Sequence, residues 1–138
     1  MMERVDDIKQ LIPQREPFLM VHACEAADEH TAYTTLTIEA DNYFILPDGT
    51  MSETGVMEHI AQSAAALIGC QSLGGEPRIG LIGEVKHFEC RRRPLVGEQL
   101  STTITITFSM GSVSLAQGEC RIGGETLATA QLKIFIQS

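Results

Sequence analysis

The sequence predicts an α+β domain in which an antiparallel sheet of about six strands wraps around one long central helix. Three observations carry this. Leu100, Thr102, Ile104, Ile106 and Phe108 alternate with Ser101, Thr103, Thr105 and Thr107, the period of a half-buried strand. Met57, Ile60, Ala61, Ala64, Leu67 and Ile68 recur at helical spacing, and the positions between them include Gly55, Ser63, Ala65, Ala66 and Gly69. A helix so small and apolar on most sides is enclosed by other structure rather than laid on a surface. Finally, 138 residues suffice for one core and are too few for two, so residues 1–138 read as one domain.

Taken in order, residues 5–12 place Val5, Ile8, Leu11 and Ile12 at helical spacing before Pro13 stops them. Residues 18–24 are an apolar run behind Pro17, and residues 32–38 are rich in threonine and β-branched side chains. With the polar Asp28-Glu29-His30 between them they read as a hairpin. Residues 41–52 are irregular, containing Asn42, Pro47, Asp48 and Gly49. Thr50-Met51-Ser52-Glu53 matches a capping box and starts the helix; Gly74-Gly75 and Pro77 end it. Residues 79–88 form an apolar, glycine-spaced strand, and the alternating strand 100–108 turns at Met110-Gly111 into residues 113–122. Gly123-Gly124 is a two-residue hairpin turn into the alternation of Ala128, Ala130, Leu132, Ile134 and Ile136. Two strands, a helix and four strands in meander result.

Composition narrows the function. The chain is 43% apolar and 20% charged, which excludes intrinsic disorder, and its longest apolar run, residues 64–70, is too short to span a bilayer. Ten basic against eighteen acidic residues give a net charge of −8, so nucleic acid is not an expected partner. The opening Met1-Met2-Glu3-Arg4-Val5 lacks the apolar core of a secretory signal, so a cytoplasmic location is expected. Cys24, Cys70, Cys90 and Cys120 are too widely spaced for a zinc site or a disulfide framework and read as reduced thiols. Neither a metal nor a cofactor is expected.

Three passages resemble one family. The run from Ile12-Pro13-Gln14-Arg15 through Glu16-Pro17-Phe18-Leu19-Met20-Val21 is similar to the opening Pro-His-Arg-x-Pro-Phe-Leu-Leu-Val of the 3-hydroxyacyl-[acyl-carrier-protein] dehydratases. Met57-Glu58-His59-Ile60-Ala61-Gln62 resembles their helix motif Leu-Glu-x-Met-Ala-Gln, and residues 124–130 resemble their closing strands. Residues 52–58 look closest to the divergent dehydratase-like proteins of aryl-polyene and flexirubin pathways. The resemblance implies the hotdog fold, dehydration of a 3-hydroxyacyl thioester on acyl carrier protein or coenzyme A, and at least a homodimer with sites at the shared interface. There is a departure: the family's Gly-His-Phe-Pro-Gly loop, whose histidine is the general base, corresponds here to residues 42–49, which contain no histidine, and Gln14 replaces the opening motif's histidine.

Dehydration needs a base for the C2 proton, an acid for the C3 hydroxyl, and donors to an enolate-like thioester oxygen. Glu58 is the candidate acid or base, because burial in an apolar helix keeps a carboxyl group protonated part of the time. Gln62, one turn on, is placed to hold that carboxyl group or the substrate. His59 is a second catalytic candidate, although adjacent helical residues point about 100° apart. Asn42 stands near the place of the family's histidine and is a candidate to orient a water or the thioester oxygen. Gly55 and Phe44 are assigned to substrate binding, Gly55 because it permits close approach to the unpaired N–H groups of the helix start. Arg91, Arg92 and Arg93 are a basic patch for an acidic carrier protein and its phosphate, though in a strand they alternate faces. His22 and His87 read as structural and His30 as solvated. Two alternatives stay open: a hotdog thioesterase in which Glu58 activates water, and a non-catalytic acyl-binding or scaffold partner of an active dehydratase.

Overall fold

A computed structural model describes residues 3–73 and 75–137. Met1, Met2 and Gly74 of the motifs above lie outside them. The elements are β1 (Glu3–Val5), a single 3₁₀ turn (Ile8–Gln10), β2 (Ala23–Ala26), β3 (Thr31–Thr37), α1 (Glu53–Gln71), β4 (Ile79–Cys90), β5 (Gln99–Met110), β6 (Val113–Ile122) and β7 (Glu125–Gln137). They form one antiparallel sheet of seven strands, ordered β1-β2-β3-β5-β6-β7-β4, with α1 against its inner face.

Four expectations are corrected. The helical spacing of residues 5–12 is a short strand followed by a 3₁₀ turn, with Val5 paired to Cys24. So short a segment cannot sustain an α-helix and gains more from the sheet edge, while Ile8, Leu11 and Ile12 are still buried. The strand expected at residues 18–24 begins only at Ala23, because the backbone of residues 18–20 bonds to helix side chains instead of a neighbouring strand. The last four strands are not a simple meander: β5, β6 and β7 are, but β4 pairs with β7 at the far edge. The helix carries the chain across the sheet before β4, and residues 91–98 bring it back to β5 beside β3. The helix cap is Ser52, whose Oγ accepts from the Gly55 N–H at 3.3 Å, rather than Thr50, whose hydroxyl is held by Asp48 at 2.6 Å.

Every residue from His59 to Cys70 is buried, so α1 has no solvent face beyond its first two turns. Ile60, Leu67 and Ile68 pack with Leu36, Leu100, Ile104, Leu132 and Ile134 of the sheet, each contributing about 2 kcal/mol by leaving water. Close approach is bought by small residues: a Cβ on Gly118 would meet Ile60 at 2.6 Å, and one on Gly80 would meet Ile68 at 3.0 Å. The alternation of β7 points Ala128, Ala130, Leu132 and Ile134 inward, and Gly123 turns the β6–β7 hairpin at φ 58°. No disulfide joins the four cysteines among the described residues; Cys24 and Cys70 stand with their sulfurs 3.9 Å apart. Among the described residues no helix is long and apolar enough to cross a membrane.

Candidate active site

The candidate residues of α1, Glu58, His59 and Gln62, lie within its first three turns. Glu58 is half-buried, and its Oε2 accepts a hydrogen bond from Gln62 Nε2 at 3.0 Å, the pairing expected one helical turn apart. Gln62 is only 2% exposed and fully engaged: Nε2 also donates to the Phe18 carbonyl at 2.7 Å, and Oε1 accepts from the Met20 N–H at 2.7 Å. It therefore holds the carboxylate and has no N–H left for substrate. The amide orientation follows from the same bonds, since a carbonyl can only accept and an N–H only donate.

His59 points away from Glu58 into the core and is inaccessible to solvent. Its Nδ1 lies 2.7 Å from the Met20 carbonyl and its Nε2 2.8 Å from the Thr102 hydroxyl. Desolvation outweighs the Met20 bond and pushes its pKa down to about 4, with a small contribution from His22. The expected catalytic role is corrected to this extent: both ring nitrogens are spoken for and substrate cannot reach either from this chain.

Asn42 lies on the loop before α1. Its Oδ1 accepts from the Phe44 N–H at 2.9 Å, and its Nδ2 meets only the soft sulfur of Met20 at 3.4 Å, leaving a donor available. Phe44 closes the same loop in an edge-to-face series with Tyr43 and Phe18, at centroid distances of 5.2 and 4.8 Å. Gly55 is needed for this loop and not for substrate: a Cβ there would lie 2.6 Å from Phe44 Cβ and 2.8 Å from Met51 Cγ. Its N–H is already bonded to the Ser52 carbonyl at 2.9 Å, which removes it as a donor to a thioester oxygen.

The structure thus brings Glu58, Gln62, Asn42 and Phe44 together around Phe18 and Met20. Among the described residues, five of the surface cavities have volumes of 420–540 Å³, and none of these is lined by Glu58 or Asn42. The Glu58 side chain is half-buried in the single chain. The other histidines are elsewhere: His22, His30 and His87 are exposed, His22 Nδ1 accepts from the Thr37 N–H at 3.2 Å, and His87 sits on edge strand β4 with φ 52°. The arginine triplet is split as well. Arg92 forks onto Glu98 at 2.8 and 2.9 Å and Arg93 pairs with Glu53 at 2.9 Å, so of the three only Arg91 makes no ion pair among the described residues. Arg91 borders a 440 Å³ cavity with Thr126 and Leu127. Among the described residues no cluster of three or more His, Cys, Asp or Glu side chains is placed to hold a metal ion.

Phe18, Met20 and Thr102 are the functional neighbours that sequence reasoning did not single out. Thr102 had a signal, a hydroxyl on the inward register between Leu100 and Ile104. Phe18 and Met20 act through their backbone, which leaves no mark on the sequence.

Comparisons with known proteins agree with this fold. Residues 6–138 match the ApeP-like family, described as ApeP dehydratase. The chain is 29% identical over 136 residues to the 3-hydroxyacyl-[acyl-carrier-protein] dehydratase FabZ of Natranaerobius thermophilus, covering 95% of both chains. Among solved structures it resembles a chain of the dehydratase heterocomplex ApeI:P from Xenorhabdus doucetiae, with TM-score 0.85, 15% identity, and coverage of 95% of this chain and 91% of that one. A hypothetical thioesterase with coenzyme A from Streptococcus pneumoniae shares the fold more loosely, at TM-score 0.68 and 9% identity over 83% of this chain and 84% of that one. The sheet wrapped around α1 is the hotdog fold.

Proposed function

The chain belongs to the ApeP-like family of dehydratases, and from that premise we propose that it removes water from a 3-hydroxyacyl thioester carried on acyl carrier protein, with Glu58 as the acid–base residue. The observation that carries the reading is the Glu58 carboxylate held by Gln62 at 3.0 Å, with Gln62 itself locked to the backbone of Phe18 and Met20. A group so aimed, yet half-exposed, is arranged for proton transfer. Glu58 takes the proton from C2; the released electron pair forms the C2–C3 double bond as the C3–O bond breaks; and a proton delivered to the departing hydroxyl makes water. The Nδ2 of Asn42, free of any strong acceptor, is placed to donate to the thioester oxygen as charge builds there.

None of the chain's four histidines stands beside Glu58, so the second proton-transfer group, where one is used, comes from another chain. Edge strand β4, twelve residues long, pairs on one side only, with β7, and offers its other edge to that subunit. The named assembly of a fold relative, a dehydratase heterocomplex, favours a second dehydratase-type chain as well as a homodimer. Arg91 is the arginine available to the carrier's phosphate, and the location is cytoplasmic.

The test is mass spectrometry of a 3-hydroxyacyl-carrier-protein substrate for loss of one water, with wild type and Glu58→Gln side by side, alone and with a second dehydratase chain. Water loss that disappears in Glu58→Gln supports the reading. Water loss retained in the variant, or absent in every combination, removes it. Activity that appears only with the second chain and survives Glu58→Gln assigns this protein the scaffold role instead.

A further inference from the structure

We propose that His59 is a positioning residue of this site: a neutral imidazole protonated on Nδ1, whose bond to the Met20 carbonyl works with Gln62's bond to the Met20 N–H to fix the segment from which Gln62, and so Glu58, is aimed. The inference rests on Glu58 being the acid–base residue.

The links are contiguous. Thr102 Oγ1 to His59 Nε2 is 2.8 Å, His59 Nδ1 to the Met20 carbonyl 2.7 Å, the Met20 N–H to Gln62 Oε1 2.7 Å, and Gln62 Nε2 to Glu58 Oε2 3.0 Å. His59 and Gln62 lie three residues apart on α1, so one helical face grips a single residue by both its backbone groups. The polarity of the chain is determined throughout. A carbonyl only accepts, so Nδ1 carries the hydrogen; in a neutral ring Nε2 then accepts, and the Thr102 hydroxyl must donate to it. Complete burial favours the neutral ring. At the other end, the Met20 N–H and the Phe18 carbonyl admit only one orientation of the Gln62 amide, the one that turns its NH₂ toward Glu58.

Met20 is the junction. Besides its bonds to His59 and Gln62, its sulfur is the contact of the Asn42 amide. Residues 18–20 have no strand partner to hold them, so the two helix side chains do that work. A buried histidine that only filled space would not converge on the one segment that also orients the carboxylate.

Two measurements test this on the assembly that turns over. Heteronuclear NMR of the imidazole nitrogens in the wild-type protein is expected to show Nδ1 protonated and Nε2 bare near neutral pH; an Nε2–H tautomer or an imidazolium there overturns the proposal. Kinetics of His59→Leu, His59→Asn and Thr102→Val form the second. His59→Asn keeps a donor near the Nδ1 position and is expected to recover most of the rate. His59→Leu, which leaves the Met20 carbonyl unpaired, is expected to lower kcat about 10- to 100-fold with little change in KM, the signature of a misplaced group. If His59→Leu does not fold, Thr102→Val carries the comparison, with a smaller drop in kcat expected because Nε2 loses its donor. Wild-type kcat in His59→Leu, or in Thr102→Val when His59→Leu does not fold, overturns the positioning role. Glu58→Gln run in parallel separates the failures: an active Glu58→Gln sinks the site reading, whereas an inactive one beside a fully active His59 variant sinks this inference alone.

Discussion

From His59 to Cys70 α1 is buried throughout, but its two halves are held in different ways. In the N-terminal half His59 and Gln62 are 0% and 2% exposed, and directional hydrogen bonds tie them to Met20, Phe18 and Thr102. In the C-terminal half Ala64, Ala66, Leu67 and Ile68 are equally inaccessible, and contact with the sheet alone retains them. Ile68 lies over Gly80, and Gly69 comes so near Leu11 that a Cβ there would run into the Leu11 backbone. Hydrophobic contact sets a distance but not a direction. On the proposal that Glu58 transfers a proton, its carboxylate needs direction, and the directional bonds lie where Glu58 is held. Substitutions in the first half should therefore cost rate more than stability, and in the second half the reverse.

The largest effect expected is at Glu58. Glu58→Gln keeps the shape and the Gln62 contact but removes the transferable proton, so the water-loss rate should fall by about 10³-fold, equivalent to about 4 kcal/mol of barrier. Its melting temperature should stay within a few degrees of wild type. A large loss of stability at this half-exposed position would break the comparison.

Next is the acid stability of the N-terminal half. Desolvation pushes the His59 pKa from the ordinary 6.5 down to about 4 in the folded protein. Between those values the unfolded chain binds a proton that the folded chain does not, so stability rises with pH across this window. Acidification from 6.5 to 4 should remove about 3 kcal/mol, and His59→Asn should lose much less. Urea unfolding near pH 7 and near pH 4 checks this. Glu98, held down to about 2 by the Arg92 fork and the Leu95 N–H, has its own window from 4.5 to 2. A loss confined to that lower range would assign the acid sensitivity to the exposed Arg92–Glu98 pair rather than to the helix.

This contrast also explains what was legible in the sequence. Strands β5 and β7 could be read because burial imposes a period, as at Leu100, Thr102 and Ile104 on β5, and the C-terminal half of α1 because it is apolar and small on every side, with Ala64, Leu67 and Ile68 at helical spacing. The position of β4 could not, since an apolar run does not state which neighbour it pairs with, and only the path of the chain puts it beside β7. Strand β1, three residues long, is below the length at which a period shows. At the site, Glu58 and Gln62 were legible as a pair one turn apart, but their hold on Phe18 and Met20 runs through backbone groups common to every residue. The cap was misread for a local reason. Thr50 and Ser52 compete for the role, and Asp48 has already engaged the Thr50 hydroxyl and N–H.

Two smaller effects sharpen the comparison from opposite ends of α1. Gly69→Ala gains helix propensity of ~1 kcal/mol but drives a methyl group into the Leu11 backbone, which cannot swing aside as a side chain would. A net loss of about 2 kcal/mol is expected in urea unfolding, with kcat of the remaining folded protein unchanged because Gly69 touches nothing at the site. Ser52→Ala acts at the other end. It removes the Oγ that accepts from the Gly55 N–H at 3.3 Å, a long bond whose loss should cost ~0.5 kcal/mol, at the lower limit for such caps. The Ser52 carbonyl still bonds the same N–H at 2.9 Å, so the first turn should persist. Because the grip on Met20 lies a turn or more beyond the cap, at His59 and Gln62, the water-loss rate of Ser52→Ala should stay within about twofold of wild type. A much larger fall would mean that the first turn, and not the clamp on Met20, holds Glu58 in place.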